Sequence, residues 1–139
     1  MECLPGYSRY QAGCAGPAYN EAAFRHFLDV DRRRAERSIG RLLLVLVSVR
    51  TERAGVVTLS DATATAIFTS LGECVREIDF VGWYREGRVP AAVLVQPPTA
   101  PLDVHRRMSD RIVQALRGHL PADVMRRVRV RVIRLGGTR

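Results

Sequence analysis

The chain has 139 residues, 47% of them apolar, with 22 basic and 14 acidic residues and a net charge of +8. That length supports one domain with a real core, since a second folding unit would need roughly another 50 residues, and the composition excludes a collagenous or wholly disordered chain. Every basic residue is arginine, so the surface carries planar forked donors suited to phosphate and carboxylate, and nucleic acid, an anionic nucleotide and an acidic protein all stand as possible partners.

The first 20 residues are punctuated by Pro5, Gly6, Gly13, Gly16 and Pro17 and show no periodicity. They read as a flexible N-terminal arm, which Tyr7, Tyr10 and Tyr19 could dock. From Glu21 to about Ile39 the spacing of Phe24, Phe27, Leu28, Ala35 and Ile39 predicts a helix, with Asp29 and Arg33 as an i,i+4 pair and Gly40 as its stop.

Arg41 to Arg50 predicts a strand. Its run Leu42-Leu43-Leu44-Val45-Leu46-Val47 is unbroken and branched, as a central strand covered on both faces should be. The longest apolar stretch, Leu42 to Val49 interrupted by Ser48, is far short of the ~20 residues of a membrane-spanning helix, so no membrane partner is expected. A short polar connection with a turn at Gly55 follows.

Ser60 or Asp61 can cap a helix reaching about Glu77, with Ala64, Ile67, Phe68, Leu71, Val75 and Ile78 on one face. Asp79 to Tyr84 and Val89 to Val95 are short strands flanking Arg85-Glu86-Gly87-Arg88, a hairpin loop with glycine where positive φ is cheap. After Pro97, Pro98 and Pro101, Thr99 or Asp103 begins a helix bearing Val104, Met108, Ile112, Ala115 and Leu116, stopped by Gly118 and Pro121. Val128-Arg129-Val130-Arg131-Val132 alternates strictly and predicts a strand with one buried face.

The order is helix, strand, helix, strand, hairpin, strand, helix, strand. It predicts a single α+β domain over residues 21–139: a mainly antiparallel central sheet with helices packed on it, in a ferredoxin-like or palm arrangement. The N-terminus Met1-Glu2-Cys3-Leu4-Pro5-Gly6 is neither basic nor apolar, so no signal peptide is expected. Cys3, Cys14 and Cys74 are odd in number without CxxC spacing, and read as free thiols in a reducing cytoplasm.

With these elements in place, the stretch from about residue 24 to 135 resembles a GGDEF domain, the nucleotide-cyclase-like palm of bacterial diguanylate cyclases. The arginine-rich helix before the first strand, the strand Leu42 to Val49, and the helix, hairpin and apolar strand running to Pro97 follow that layout. Arg76-Glu77-Ile78-Asp79 reproduces the family's RxxD inhibitory-site motif. Five residues, Phe80 to Tyr84, then separate it from Arg85-Glu86-Gly87-Arg88-Val89 at the position of the signature hairpin.

The departures bear on function. Arg85 and Glu86 replace the hairpin glycines, and Gly87 and Arg88 stand where the acidic pair should be. The first strand ends Val47-Ser48-Val49-Arg50 without the metal-binding aspartate, and residues 51–59 hold neither the Asn nor the Asp that would read guanine. Phosphoryl transfer needs Mg²⁺ on oxygen ligands. The resemblance therefore implies a degenerate, non-catalytic relative with no catalytic residue, metal or cofactor: a signalling or regulatory domain that binds an unknown protein partner.

It also implies an alternative, a cyclic di-GMP receptor. Arg76 would fork onto a phosphate or the guanine edge and Asp79 would accept from the guanine, with Arg85 and Arg88 as further anion ligands. The plainer reading is that Arg76 suits the helix dipole, Asp79 begins a turn, and the hairpin arginines are solvated. Trp83 and Tyr84 could stack on a base, or fill a sheet face. Arg126, Arg127, Arg129 and Arg131 could touch nucleic acid, a weaker alternative; an edge strand guarded by charge explains the same residues. His26, His105 and His119 have no metal spacing, and Cys74 reads as partly buried and inert.

Overall fold

The computed structural model describes residues 6–11, 17–37, 40–53, 55–97 and 99–136. Strands β1 (Tyr7–Gln11) and β2 (Pro17–Tyr19) are followed by α1 (Glu21–Arg37), β3 (Arg41–Val49) and α2 (Asp61–Cys74). Then come β4 (Phe80–Arg85), β5 (Val89–Gln96), α3 (Val104–His119), α4 (Ala122–Met125) and β6 (Val128–Leu135). The strands form one sheet in the order β1-β2-β4-β5-β3-β6. Only the β2–β4 pair is parallel among its named pairings, so the α+β, mainly antiparallel palm-like layout holds.

β3 lies between β5 and β6 and is apolar on both sides because both sides are covered. Leu43, Val45, Val47 and Val49 face the layer formed by α2 and α3, where Ile67, Phe68, Leu71, Ile112 and Leu116 are buried. Leu42 and Leu44 face the opposite side with Phe24 and Ala35 of α1. Burying a side chain such as Phe68 contributes about 1.5–3 kcal/mol, so this two-layer core supplies the main driving force for the fold. No helix among the described residues is long and apolar enough to cross a membrane.

Local signals placed most boundaries. Ser60 caps α2, its Oγ accepting from Thr63 N at 3.2 Å. Asp29 meets Arg33 at 3.0 Å. α2 ends at Cys74, short of Glu77, because Val75 is already extended and the next residues turn toward β4. Asp103 precedes α3, but its carboxylate accepts from Arg107 Nε at 3.1 Å and caps no backbone N–H.

The N-terminal stretch is a correction. Read as a flexible arm, it instead contributes two strands to the sheet over its described residues. Tyr7 pairs with Tyr19 across β1 and β2, and Tyr19 pairs with Gly82 of β4. The aromatic rings that looked able to dock do so. Tyr7 stacks on Tyr19 at 4.9 Å between centroids, and Tyr10 lies 5.5 Å from Phe68 and 5.8 Å from Trp83. Ala18 is fully buried. The domain therefore includes part of the segment assigned to residues 1–20.

Gly82 makes that docking possible. A methyl group there would sit 2.5 Å from the Tyr19 carbonyl oxygen and 2.9 Å from Phe24 Cδ2. Gly82→Ala should cost about 1–3 kcal/mol through overpacking, measured by denaturant unfolding. A variant as stable as the wild type would mean that β2 does not rest on β4.

Candidate functional site

Arg76 and Asp79 sit in the turn between α2 and β4, closed by Asp79 N donating to Arg76 O at 3.0 Å. The Asp79 side chain is 2% exposed. Its Oδ2 accepts from Arg76 N at 2.8 Å and from Arg76 Nε at 3.4 Å, while Oδ1 accepts from Val95 N at 2.9 Å. The Arg76 guanidinium donates in turn to Val95 O. The pair thus grips both backbone groups of Val95, continuing the hold of β4 on β5 past the last strand pair, Phe80 with Val93. A carboxylate whose two oxygens are filled by N–H groups of its own chain is a latch.

Arg85 and Arg88 lie at the far end of β4, exposed at the hairpin tip, where Arg88 N donates to Arg85 O at 3.0 Å and Gly87 has φ +75°. The six residues of β4 separate the tip from the latch by about 20 Å at strand rise. The structure keeps Arg76 and Asp79 together and does not bring Arg85 and Arg88 to them.

The hairpin tip is tied down by other parts of the chain. Gly87 O accepts from Leu59 N at 2.8 Å. Glu86 Oε1 accepts from Glu21 N at 3.0 Å, and Glu21 Oε1 accepts from Glu86 N at 2.5 Å. With Asn20 Oδ1 accepting from Ala23 N at 3.0 Å, this completes an N-terminal cap on α1 in which two of the first-turn donors are satisfied by side chains. Arg25 secures the same corner: Nε donates to Tyr84 O at 3.0 Å, and the guanidinium lies 4.4 Å from the Tyr84 ring centroid.

An open cleft of about 440 Å³ borders the tip, lined by residues including Tyr10, Asp61, Trp83, Glu86 and Gly87. Its walls are joined by Tyr10 OH donating to Asp61 Oδ1 at 2.9 Å and Trp83 Nε1 donating to Ser8 Oγ at 3.3 Å. Trp83 is buried and Tyr84 half-buried, so both fill sheet faces. Sequence reasoning missed the contribution of Ser8 and Tyr10 to this cleft. The available signal was the aromatic, β-favouring Tyr7-Ser8-Arg9-Tyr10, obscured by the glycines and prolines around it.

At the end of β3, Val47 and Val49 are buried in the core and Ser48 faces the other side opposite Arg129. Among the described residues no three His, Cys, Asp or Glu side chains converge as metal ligands would. His119 pairs with Glu73 and His105 with Arg134. Burial pushes the Cys74 thiol above its usual pKa, partly offset by Arg111.

No protein-family profile matches the chain, and no curated protein sequence matches it. Solved structures do. The GGDEF domain of FimX from Pseudomonas aeruginosa superposes with a TM-score of 0.63 at 14% identity, over 93% of this chain and 82% of that one. A truncated PA1120 (TpbB or YfiN) from Pseudomonas aeruginosa, comprising only its GGDEF domain, gives 0.61 at 19% identity, over 84% of this chain and 71% of that one. The chain has the GGDEF-domain fold.

Two outcomes test the side-chain roles. Asp79→Ala should lower stability by about 2–4 kcal/mol, since it leaves buried N–H groups unpaired, while Arg76→Ala, on a half-exposed side chain, should cost about 1 kcal/mol or less; equal, negligible losses in thermal unfolding would remove the latch. In a Cys3→Ser/Cys14→Ser background, Cys74 should react with an aromatic disulfide about tenfold more slowly in the folded than in the urea-unfolded chain, its raised pKa keeping the thiol protonated near neutral pH. Equal rates would show the thiol to be accessible.

Proposed function

We propose that this chain is a non-catalytic bacterial signalling domain, a degenerate GGDEF fold that works by binding another protein in the cytoplasm. The observation that carries this reading is the chemistry at the hairpin end of the sheet. β3 offers Val47, Ser48 and Val49, and the tip offers Gly87 and Arg88, where a cyclase would need carboxylates for Mg²⁺. The one carboxylate of the tip, Glu86, accepts from the first N–H of α1. An arginine there repels the cation that phosphoryl transfer requires.

The second reading, a cyclic di-GMP receptor, draws on the Arg76 side chain, which is 55% exposed. Asp79 counts against it, because both oxygens would have to leave N–H groups of the chain to accept from a guanine. The hairpin arginines lie too far along β4 to share one ligand phosphate with Arg76. The fold alone does not choose between regulation by protein contact and regulation by nucleotide; the side-chain commitments favour the first.

Purified protein with GTP and Mg²⁺ should form no cyclic di-GMP, and calorimetry with cyclic di-GMP at physiological salt should give no saturable heat. Product formation would overturn the non-catalytic reading. Saturable binding that Arg76→Ala weakens by about 1.5–3 kcal/mol, the range for a charge-assisted hydrogen bond, would replace it with the receptor reading.

A further inference from the structure

The outer edge of β6 carries an unused recognition pattern. β6 pairs with β3 in unbroken register from Leu42 opposite Leu135 to Val49 opposite Val128, and among the described residues no strand pairs with its other side. Natural sheets blunt such edges with short strands, proline, bulges or charge, and of these β6 carries charge. β6 has eight residues, no proline and no shift in register.

Over Val128 to Val132 its two faces differ in chemistry, while Ile133 and Leu135 share the face of Arg129 and Arg131. Val128, Val130 and Val132 lie opposite Val49, Val47 and Val45 and are half-buried against the core beneath α2 and α3. Arg129 and Arg131 lie opposite Ser48 and Leu46 on the other face and are exposed. Several arginines of the helices have carboxylates one turn away, as Arg33 has Asp29 and Arg107 has Asp103. Among the described residues no carboxylate pairs with Arg129 or Arg131.

We infer that β6 is a docking edge for an acidic strand of a protein partner, whose residues alternate between aliphatic and carboxylate. Added beside β6, such a strand takes the free backbone N–H and C=O groups. It sets its aliphatic side chains beside the three valines and its carboxylates beside Arg129 and Arg131.

Charge disfavours a second copy of this chain as the occupant. In the antiparallel β6–β6 register centred on Val130, which pairs the two alternating stretches, Arg129 of each copy lies opposite Arg131 of the other, which is repulsive. Nucleic acid fits less well, because the strip supplies aliphatic side chains and a backbone edge where single strands need aromatic platforms. The inference rests on the reading of the chain as a protein-interaction domain and names the surface and partner chemistry.

The test uses the full chain and three probes: a blocked nine-residue peptide alternating valine and glutamate, the same composition with its glutamates and valines in separate blocks, and a dT12 oligonucleotide. Fluorescence anisotropy at physiological salt should show the alternating peptide binding at least about tenfold more tightly than the one with segregated valines and glutamates, weakening as salt rises. R129E/R131E should lose that binding about tenfold or more and gain binding to a valine–lysine peptide, which also shows that the variant is folded. R129Q/R131Q should lose the first without gaining the second.

Equal affinity for the two glutamate peptides, or binding unchanged by charge reversal, would overturn the docking edge. So would dT12 binding more tightly than the peptide and displacing it. Cyclic di-GMP formation from GTP by the same preparation would sink the interaction-domain reading whatever the peptides do. Absence of both turnover and peptide binding would remove the β6 site alone.

Discussion

The fold depends on burying β3 on both faces at once. A strand with leucine or valine at nearly every position cannot sit at an edge or over water on one side, so it requires strands on both flanks and helices above and below. β5 and β6 supply the flanks, α2 and α3 one cover, and α1 the other. This constraint fixes the positions of elements that carry no strong signal of their own. β4 takes its place by hairpin closure onto β5, and the described N-terminal strands add to β4 through the gap left by Gly82.

That hierarchy explains what could be read in the sequence. The continuous run Leu42 to Val47, the alternation from Val128 to Val132 and the helical spacing around Ile67, Phe68 and Leu71 are properties of a few consecutive residues, so they survive without the rest of the molecule. The role of Tyr7 to Tyr19 does not. Those residues become strands because Gly82, more than sixty positions away, has no side chain to block Tyr19, and because Phe68 and Trp83 offer a ring surface to Tyr10. Local composition, rich in glycine and proline, pointed the other way, and tertiary packing overrode it.

The RxxD segment shows the same limit at the level of a site. Its four residues and their distance from the hairpin were visible in the chain, and so was a choice between ligand and turn. What the sequence cannot display is that Val95, sixteen positions on from Asp79, presents its N–H to that carboxylate and its carbonyl to Arg76. A motif match specifies residue types. Whether their polar atoms are free is decided by packing, and here the carboxylate is enclosed while the Arg76 side chain stays about half exposed.

Arginine serves three physical purposes in this chain, and separating them bears on the functional reading. At Arg25, Arg32, Arg33, Arg34 and Arg107 of α1 and α3 it balances carboxylates one turn away, which is worth only a few tenths of a kcal/mol each. In the latch, and at Arg25 over Tyr84, it ties one backbone segment to another. On β6 it stands along an open edge with no counter-charge among the described residues. Charge that only guarded the edge against self-pairing would serve equally well there. The guard and the proposed docking surface are compatible, because the positive charge that repels a second β6 strand attracts an acidic one. The absence of carboxylates at Val47, Ser48, Gly87 and Arg88 and the charged edge of β6 belong to one physical picture on the proposed reading. Glu86 reinforces α1 and Val47 and Val49 extend the core, and on that reading recognition rests on the arginines of β6.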